Sequence, residues 1–95
     1  MNLKELHQEP KPVSAVSVFK TEASNTTAIQ IAKGETLKEH ITKYPALLVC
    51  VTGQVIFENE KGLKITLNNS DYITIEPMVK HWINAMELSQ LILIK

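Results

Sequence analysis

The stretch GETLKEHITKYPALLVCVTG, Gly34 to Gly53, decides how this chain is read. Five residues separate Gly34 from His40. Pro45 then interrupts the chain, and Ala46 to Thr52 runs almost wholly apolar until Gly53 stops it. A short apolar run with glycine and proline at its borders reads as a strand. Thr36 to Thr42, just before it, reads as another.

The same grammar continues outward in both directions. Toward the N-terminus lie the β-rich Val13 to Phe19, the turn residues Thr21 to Asn25, and Thr27 to Gly34, where Ile29 and Ile31 alternate with Gln30. Toward the C-terminus come Gln54 to Glu60, and Gly62 to Leu67, in which Leu63, Ile65 and Leu67 alternate with Lys64 and Thr66. A turn over Asn68 to Asp71 leads to Tyr72 to Pro77, then Lys80 to Met86 and Leu88 to Lys95. Eight or nine short strands with period-two patterning predict an all-β fold. Periodicity alone does not separate a sandwich from a barrel. The closing stretch QLILIK is too apolar to stand at an exposed edge, so it is expected to be paired inside a sheet or covered in a dimer.

The first twelve residues read differently. Leu3 and Leu6 suit one helical turn, and Pro10 and Pro12 end it. Residues 1–12 are therefore expected to be an N-terminal tail with a solvated His7, and residues 13–95 a single domain.

Composition narrows the function classes. Ninety-five residues make one domain with a modest core. Ten lysines balance ten acidic residues, and there is no arginine. The lysines are scattered, so the chain lacks the footprint of a nucleic-acid binder. One cysteine excludes an internal disulfide. The N-terminus lacks the apolar run of a secretory signal, and no stretch reaches the length of a membrane-spanning helix. The expected location is the cytoplasm, with no membrane partner.

With the strands in place, the opening stretch resembles the first motif of the cupin family, G-x5-H-x-H-x3,4-E-x6-G. Gly34, His40 and Gly53 match, whereas Thr42 stands at the second His and Ala46 at the Glu. Ser70 to Ala85 has the shape of the second motif, G-x5-P-x-G-x2-H-x3-N. Ser70 and Met78 take its glycine positions, His81 its His and Ala85 its Asn, while Ile75, Pro77 and Val79 suit the run before the His. The resemblance spans about Thr27 to Met86. It implies a cupin-type double-stranded β-helix, a jelly-roll barrel, and a homodimer built by sheet-to-sheet contact.

In many members of that family the motif residues hold one divalent metal inside the barrel. Only His40 and His81 survive here as candidate metal ligands. A hydroxyl is a poor ligand and a methyl is none, so no resident cofactor is expected beyond a weakly held Zn, Ni or Fe. A substitute carboxylate would have to point inward. Glu39, adjacent to His40, should face the other side, and Glu76 is the remaining candidate. The expected pocket is lined by His40, Thr42, Ala46, Leu48, Cys50, His81, Ile83 and Ala85. Cys50 is expected to be inert core. Trp82 should face away from His81, and Phe57, Ile73 and Ile75 should be core. Met78 and Met86 are assigned to core filling in preference to a pocket.

Four functions compete on this reading. The first in rank is a module that binds or senses a small, mostly apolar molecule. The others are a metal-free enzyme using His as general acid or base, a reduced metallo-cupin of isomerase or oxygenase type using His40 and His81 with a substitute ligand, and a structural barrel with a filled interior.

Overall fold

Alternating side chains need a surface on each side of the strand, and two sheets facing each other supply it. The computed structural model describes all 95 residues. A short 3₁₀ helix, Leu3–Leu6, precedes nine strands: β1 (Val13–Lys20), β2 (Asn25–Ile31), β3 (Thr36–His40), β4 (Ala46–Thr52), β5 (Val55–Asn59), β6 (Lys64–Leu67), β7 (Tyr72–Ile75), β8 (His81–Ala85) and β9 (Ser89–Ile94). Every pairing is antiparallel. Five strands make one sheet in the order β1-β2-β9-β4-β7, and four make the other in the order β3-β8-β5-β6.

The inner faces of both sheets meet in one core. Ile29, Ile31, Ala46, Leu48, Cys50, Ile75, Leu91 and Leu93 come from the five-stranded sheet. Val55, Phe57, Leu67, Ile83 and Ala85 come from the other. Burial alternates along β4 and β8, as the period-two pattern requires. The apolar C-terminal run forms β9, which lies between β2 and β4 with a ladder on each side.

Four expectations need correction. β3 ends at His40, so Thr42 lies in the loop that follows. Leu63 and Ile65 are exposed, because β6 is an edge strand and only Leu67 at its end reaches the core. Met78 and Met86 are exposed and fill no core. His7 is buried at 9% exposure, whereas a solvated tail would leave it open.

The outer face of the five-stranded sheet carries a neutral, largely apolar surface. Ile92 pairs across β4 with Val49, which pairs onward with Tyr72; Ile94 pairs with Leu47, which pairs with Thr74. Residues opposite each other in a ladder share a face, so these rows are continuous. None of these side chains is charged.

The turns follow the motif glycines with two substitutions. Gly34 and Gly53 adopt φ of +80° and +105°. At Gly53 a Cβ would also collide with Ser89 and lie 2.7 Å from the Leu88 carbonyl oxygen. Ser70 and Met78 hold φ of +73° and +64° although neither is glycine. Left-handed backbone costs an L-residue about 1–2 kcal/mol. Glycine recovers part of that and loses some through a more flexible unfolded chain. Ser70→Gly and Met78→Gly are each expected to stabilise the fold by roughly 0.5–1 kcal/mol. Urea unfolding of the two variants measures this, and destabilisation by both would contradict it.

Candidate functional site

A bulge puts the two motif histidines together. Leu37 pairs with Ile83 and His40 pairs with His81, so three steps along β3 oppose two along β8. Without the extra residue, Leu37 and His40 would point to opposite faces. The bulge lets Leu37 pack on the core while His40 also turns toward the buried His81. Glu39 is exposed, as strand alternation next to His40 requires.

The ring geometry is specific. His40 Nε2 and His81 Nε2 are 3.0 Å apart, with the rings edge to face and their centroids 4.1 Å apart. His81 is 1% exposed and stacks on Phe57. Its Nδ1 lies 3.2 Å from the Val79 carbonyl oxygen, and His40 Nδ1 lies 3.0 Å from that of Lys38. A carbonyl oxygen only accepts, so each neutral ring carries its hydrogen on Nδ1. Both Nε2 atoms are then left with lone pairs aimed at each other.

Two arrangements relieve that conflict. In one, a proton is shared between the Nε2 atoms and the pair carries a positive charge. In the other, one ring changes tautomer and gives up its carbonyl partner. Burial pushes the His81 pKa down, against the pull of the Val79 carbonyl, and the positive charges of His40 and Lys95 push it down further. His81 is therefore the ring that resists taking the proton. Neither ring has a carboxylate partner.

Two nitrogens bound tetrahedrally at ~2.0–2.1 Å to one ion sit roughly 3.3 Å apart, so a small widening of the pair would admit a metal. The donor set does not. No group of three His, Cys, Asp or Glu side chains gathers anywhere in the chain, and catalytic centres of this kind rest on three protein ligands. Glu76, the proposed substitute, is exposed and forms an ion pair with Lys61 at 2.7 Å. Thr42 is buried with its Oγ1 unpartnered. The residues present do not fit a resident metal centre.

An open surface cavity of about 620 Å³ is lined by Pro12, Val13, Glu35, Thr36, Leu37, Lys38 and His40. It lies between the start of β1 and the length of β3, and His40 connects it to the histidine pair. Of the eight residues expected to line a pocket, His40 borders this space. Thr42, Ala46, Leu48, Cys50, His81, Ile83 and Ala85 are all buried, at 4% exposure or less. The small Ala46 and Ala85 pack within the same core as Leu48 and Ile83. Cys50 is fully buried, and burial followed by the charge of Asp71 pushes its thiol pKa up, as suits inert core. Trp82 faces outward as expected, its Nε1–H donating to Glu58 Oε2 at 3.2 Å. The cavity residues on β3 carried no sequence signal, because an ordinary strand edge and a prolyl segment bear no motif.

No protein-family model and no curated protein matches the chain. Solved structures do match in shape. A cupin superfamily protein from Desulfitobacterium hafniense DCB-2 superposes with a TM-score of 0.81 at 16% identity, over 93% of this chain and 90% of that one. An RmlC-like cupin family protein with a double-stranded β-helix fold from Methanocaldococcus jannaschii gives 0.79 at 16%, over 93% and 83%. KdgF from Halomonas sp. gives 0.79 at 21%, over 92% and 81%. The fold is thus the cupin double-stranded β-helix, in a small all-β form. No helix is long and apolar enough to cross a membrane.

The buried histidine has a consequence for stability. The unfolded chain takes up a proton near the ordinary histidine value of 6.5, and folded His81 resists it to lower pH. The unfolded state therefore binds more protons as pH falls below 6.5, and stability drops through that window. His81→Leu should remove part of this pH dependence. At neutral pH it should change stability by less than about 1 kcal/mol, because an apolar side chain takes over the contact with Phe57 and the lone-pair conflict disappears. Urea unfolding near neutrality and at mildly acidic pH checks both; an unchanged pH slope would contradict the assignment.

Proposed function

We propose that this protein is a small-molecule-binding or sensing module whose ligand enters the cavity beside β3 and ends at His40. The observation that carries the reading is the histidine pair itself: two Nε2 atoms 3.0 Å apart, with both Nδ1 atoms committed to carbonyls and no counter-charge, beside an open cavity of about 620 Å³. Pro12, Val13 and Leu37 offer apolar walls, Lys38 offers an ammonium beside the histidine pair, and Glu35 and Thr36 add a carboxylate and a hydroxyl. The complementary ligand is amphipathic, with an apolar body and one weakly acidic group such as a carboxylate. A carboxylic acid hands its proton to the pair and then stays as the counter-charge that favours the shared-proton form. Thr42, His81 and the buried residues around them hold the pair in place. No metal takes part in this reading, and the protein is placed in the cytoplasm.

Thermal shift tests it. A ligand at ten times its Kd adds about 1.4 kcal/mol, or roughly 6–10 °C for a domain of this size. Small aliphatic and aromatic carboxylic acids are expected to give such shifts, and the matched primary amides much smaller ones. His40→Leu should melt normally and lose the response. A shift that survives in His40→Leu, or the absence of any shift across the acid panel, would overturn the proposal.

The same reading includes a homodimer formed through the neutral outer face of the five-stranded sheet. The rows Ile94–Leu47–Thr74 and Ile92–Val49–Tyr72 are uncharged and mostly apolar, so the face can meet a copy of itself across a two-fold axis. Light scattering after size exclusion should give twice the chain mass, and Val49→Glu should give the monomer mass. A monomeric wild-type chain at high micromolar concentration contradicts it.

A further inference from the structure

The N-terminal segment and the fold are joined at very few points. Among residues 1–12 only His7 is buried. The 3₁₀ helix Leu3–Leu6 buries no side chain. Its backbone hydrogen bonds, and that of Lys11 with Glu9, are local to the segment. The first backbone bond to the barrel is the one in which Pro12 O accepts from Ala32 N at 2.9 Å. The ion pairs of the segment are also local, Met1 with Glu5 and Lys11 with Glu9. The one hydrogen bond that crosses from residues 1–11 to the rest of the molecule is that between His7 Nδ1 and Ser14 Oγ, at 2.7 Å.

What lies under the segment is polar but uncharged. Ser14 on β1 pairs with Gln30 on β2, which pairs with Gln90 on β9, so the three occupy one row across the sheet. Gln90 Nε2 donates to Gln30 Oε1 at 2.6 Å, while Gln90 Oε1 and His7 Nε2 are both buried without a partner. Three cavities border the segment: one of about 280 Å³, where its Leu6, Gln8, Glu9 and Lys11 face Ser14, Ala15 and Val16, and two of about 290 and 380 Å³. Of these last two, one is lined by its Asn2, Leu3 and Lys4 with Val51, Thr52 and Gln90; the other by Met1, Asn2, Leu3 and Leu6 with Val18. Apart from the half-buried Leu3, the segment is fastened only at the histidine.

We propose that residues 1–12 are a pH-operated latch whose clasp is His7. A neutral imidazole fits the site: Nδ1 shares one hydrogen bond with the Ser14 hydroxyl, which serves either tautomer, and Nε2 has no partner. Protonation puts a hydrogen on both ring nitrogens and a charge on the ring, while Nε2 still has no acceptor. No ionisable side chain opposes that charge from β1 at Val13 to Val16, from β2 at Ala28 to Gln30, or from β9 at Gln90. The charged groups of the segment itself, Lys4, Glu5, Glu9 and Lys11, are all exposed. Burial accordingly lowers the His7 pKa in the docked state. The undocked segment titrates near 6.5, so docking is at full strength above that value and weakens as pH falls through it. Pro10 and Pro12 border the stretch that must pivot.

Backbone ¹⁵N relaxation with parallel titration of the His7 ring tests the latch on the full chain. Order parameters over Leu3 to Glu9 are expected near about 0.85 around pH 7.5 and below about 0.6 around pH 5, with a midpoint matching the His7 titration. The Trp82 indole resonance should keep its native position at both, which separates release of the segment from unfolding. His7→Phe keeps an apolar body at the clasp and should stay ordered at both pH values. Ser14→Ala should raise the pH of release. Equal order in the wild-type chain at both pH values, or an unchanged pH response in His7→Phe, overturns the proposal.

Discussion

The two sheets of the barrel have separate hydrogen-bond ladders, and the interdigitation of their inner side chains is what holds one against the other. The strands at the centre of each sheet must therefore turn a mostly apolar side chain inward at each second residue. This one condition explains why β4 carries Ala46, Leu48 and Cys50 inward, and why β8 answers with His81, Ile83 and Ala85. It also explains where the interior has no room. A layer filled by Leu48, Phe57, Ile83 and Leu91 is a core, and open space is displaced to the edge of the four-stranded sheet, beside β3.

That condition is also what made the architecture readable. Apolar alternation and turn residues located all the strands, and the two motif outlines pointed to the jelly roll that the superposed structures display. The exceptions have local causes. β6 alternates as if half-buried, yet it is an edge strand with one neighbour, so its Ile65, and Leu63 just before it, meet solvent. Ser70 and Met78 lack the signature of left-handed backbone, but the turns keep their shape around them. In those turns the fold overrides local propensity.

The candidate site was half readable. The motifs named both histidines, and the pair does form. The bulge that brings them together left no mark in the sequence, because an extra residue in a strand looks like any other polar position. Residues assigned to the pocket from motif positions belong to the packed interior, apart from His40. His7 was unreadable for a different reason. Its burial depends on a tertiary contact with Ser14, and composition marks residues 1–12 only as polar and prolyl.

Buried polar groups are nearly always satisfied in folded proteins, and here the unsatisfied ones fall in two places. Thr42 Oγ1 stands in the loop that follows the histidine-bearing β3, and the histidine pair itself has two acceptors facing one gap. His7 Nε2 and Gln90 Oε1 stand on the outer face of the five-stranded sheet. Elsewhere local propensity, pattern and packing agree, so such clusters mark where the fold carries a cost that something else relieves. The two costs differ in kind. At the histidine pair the neighbouring space is an open cavity, and a ligand bringing the missing partner can relieve the conflict without moving the backbone. Under the N-terminal segment the neighbouring space is enclosed by the segment itself, so relief comes by moving it. The proposed ligand site and the proposed latch thus rest on the same kind of observation, the places where this sequence leaves its buried polar atoms unpaired.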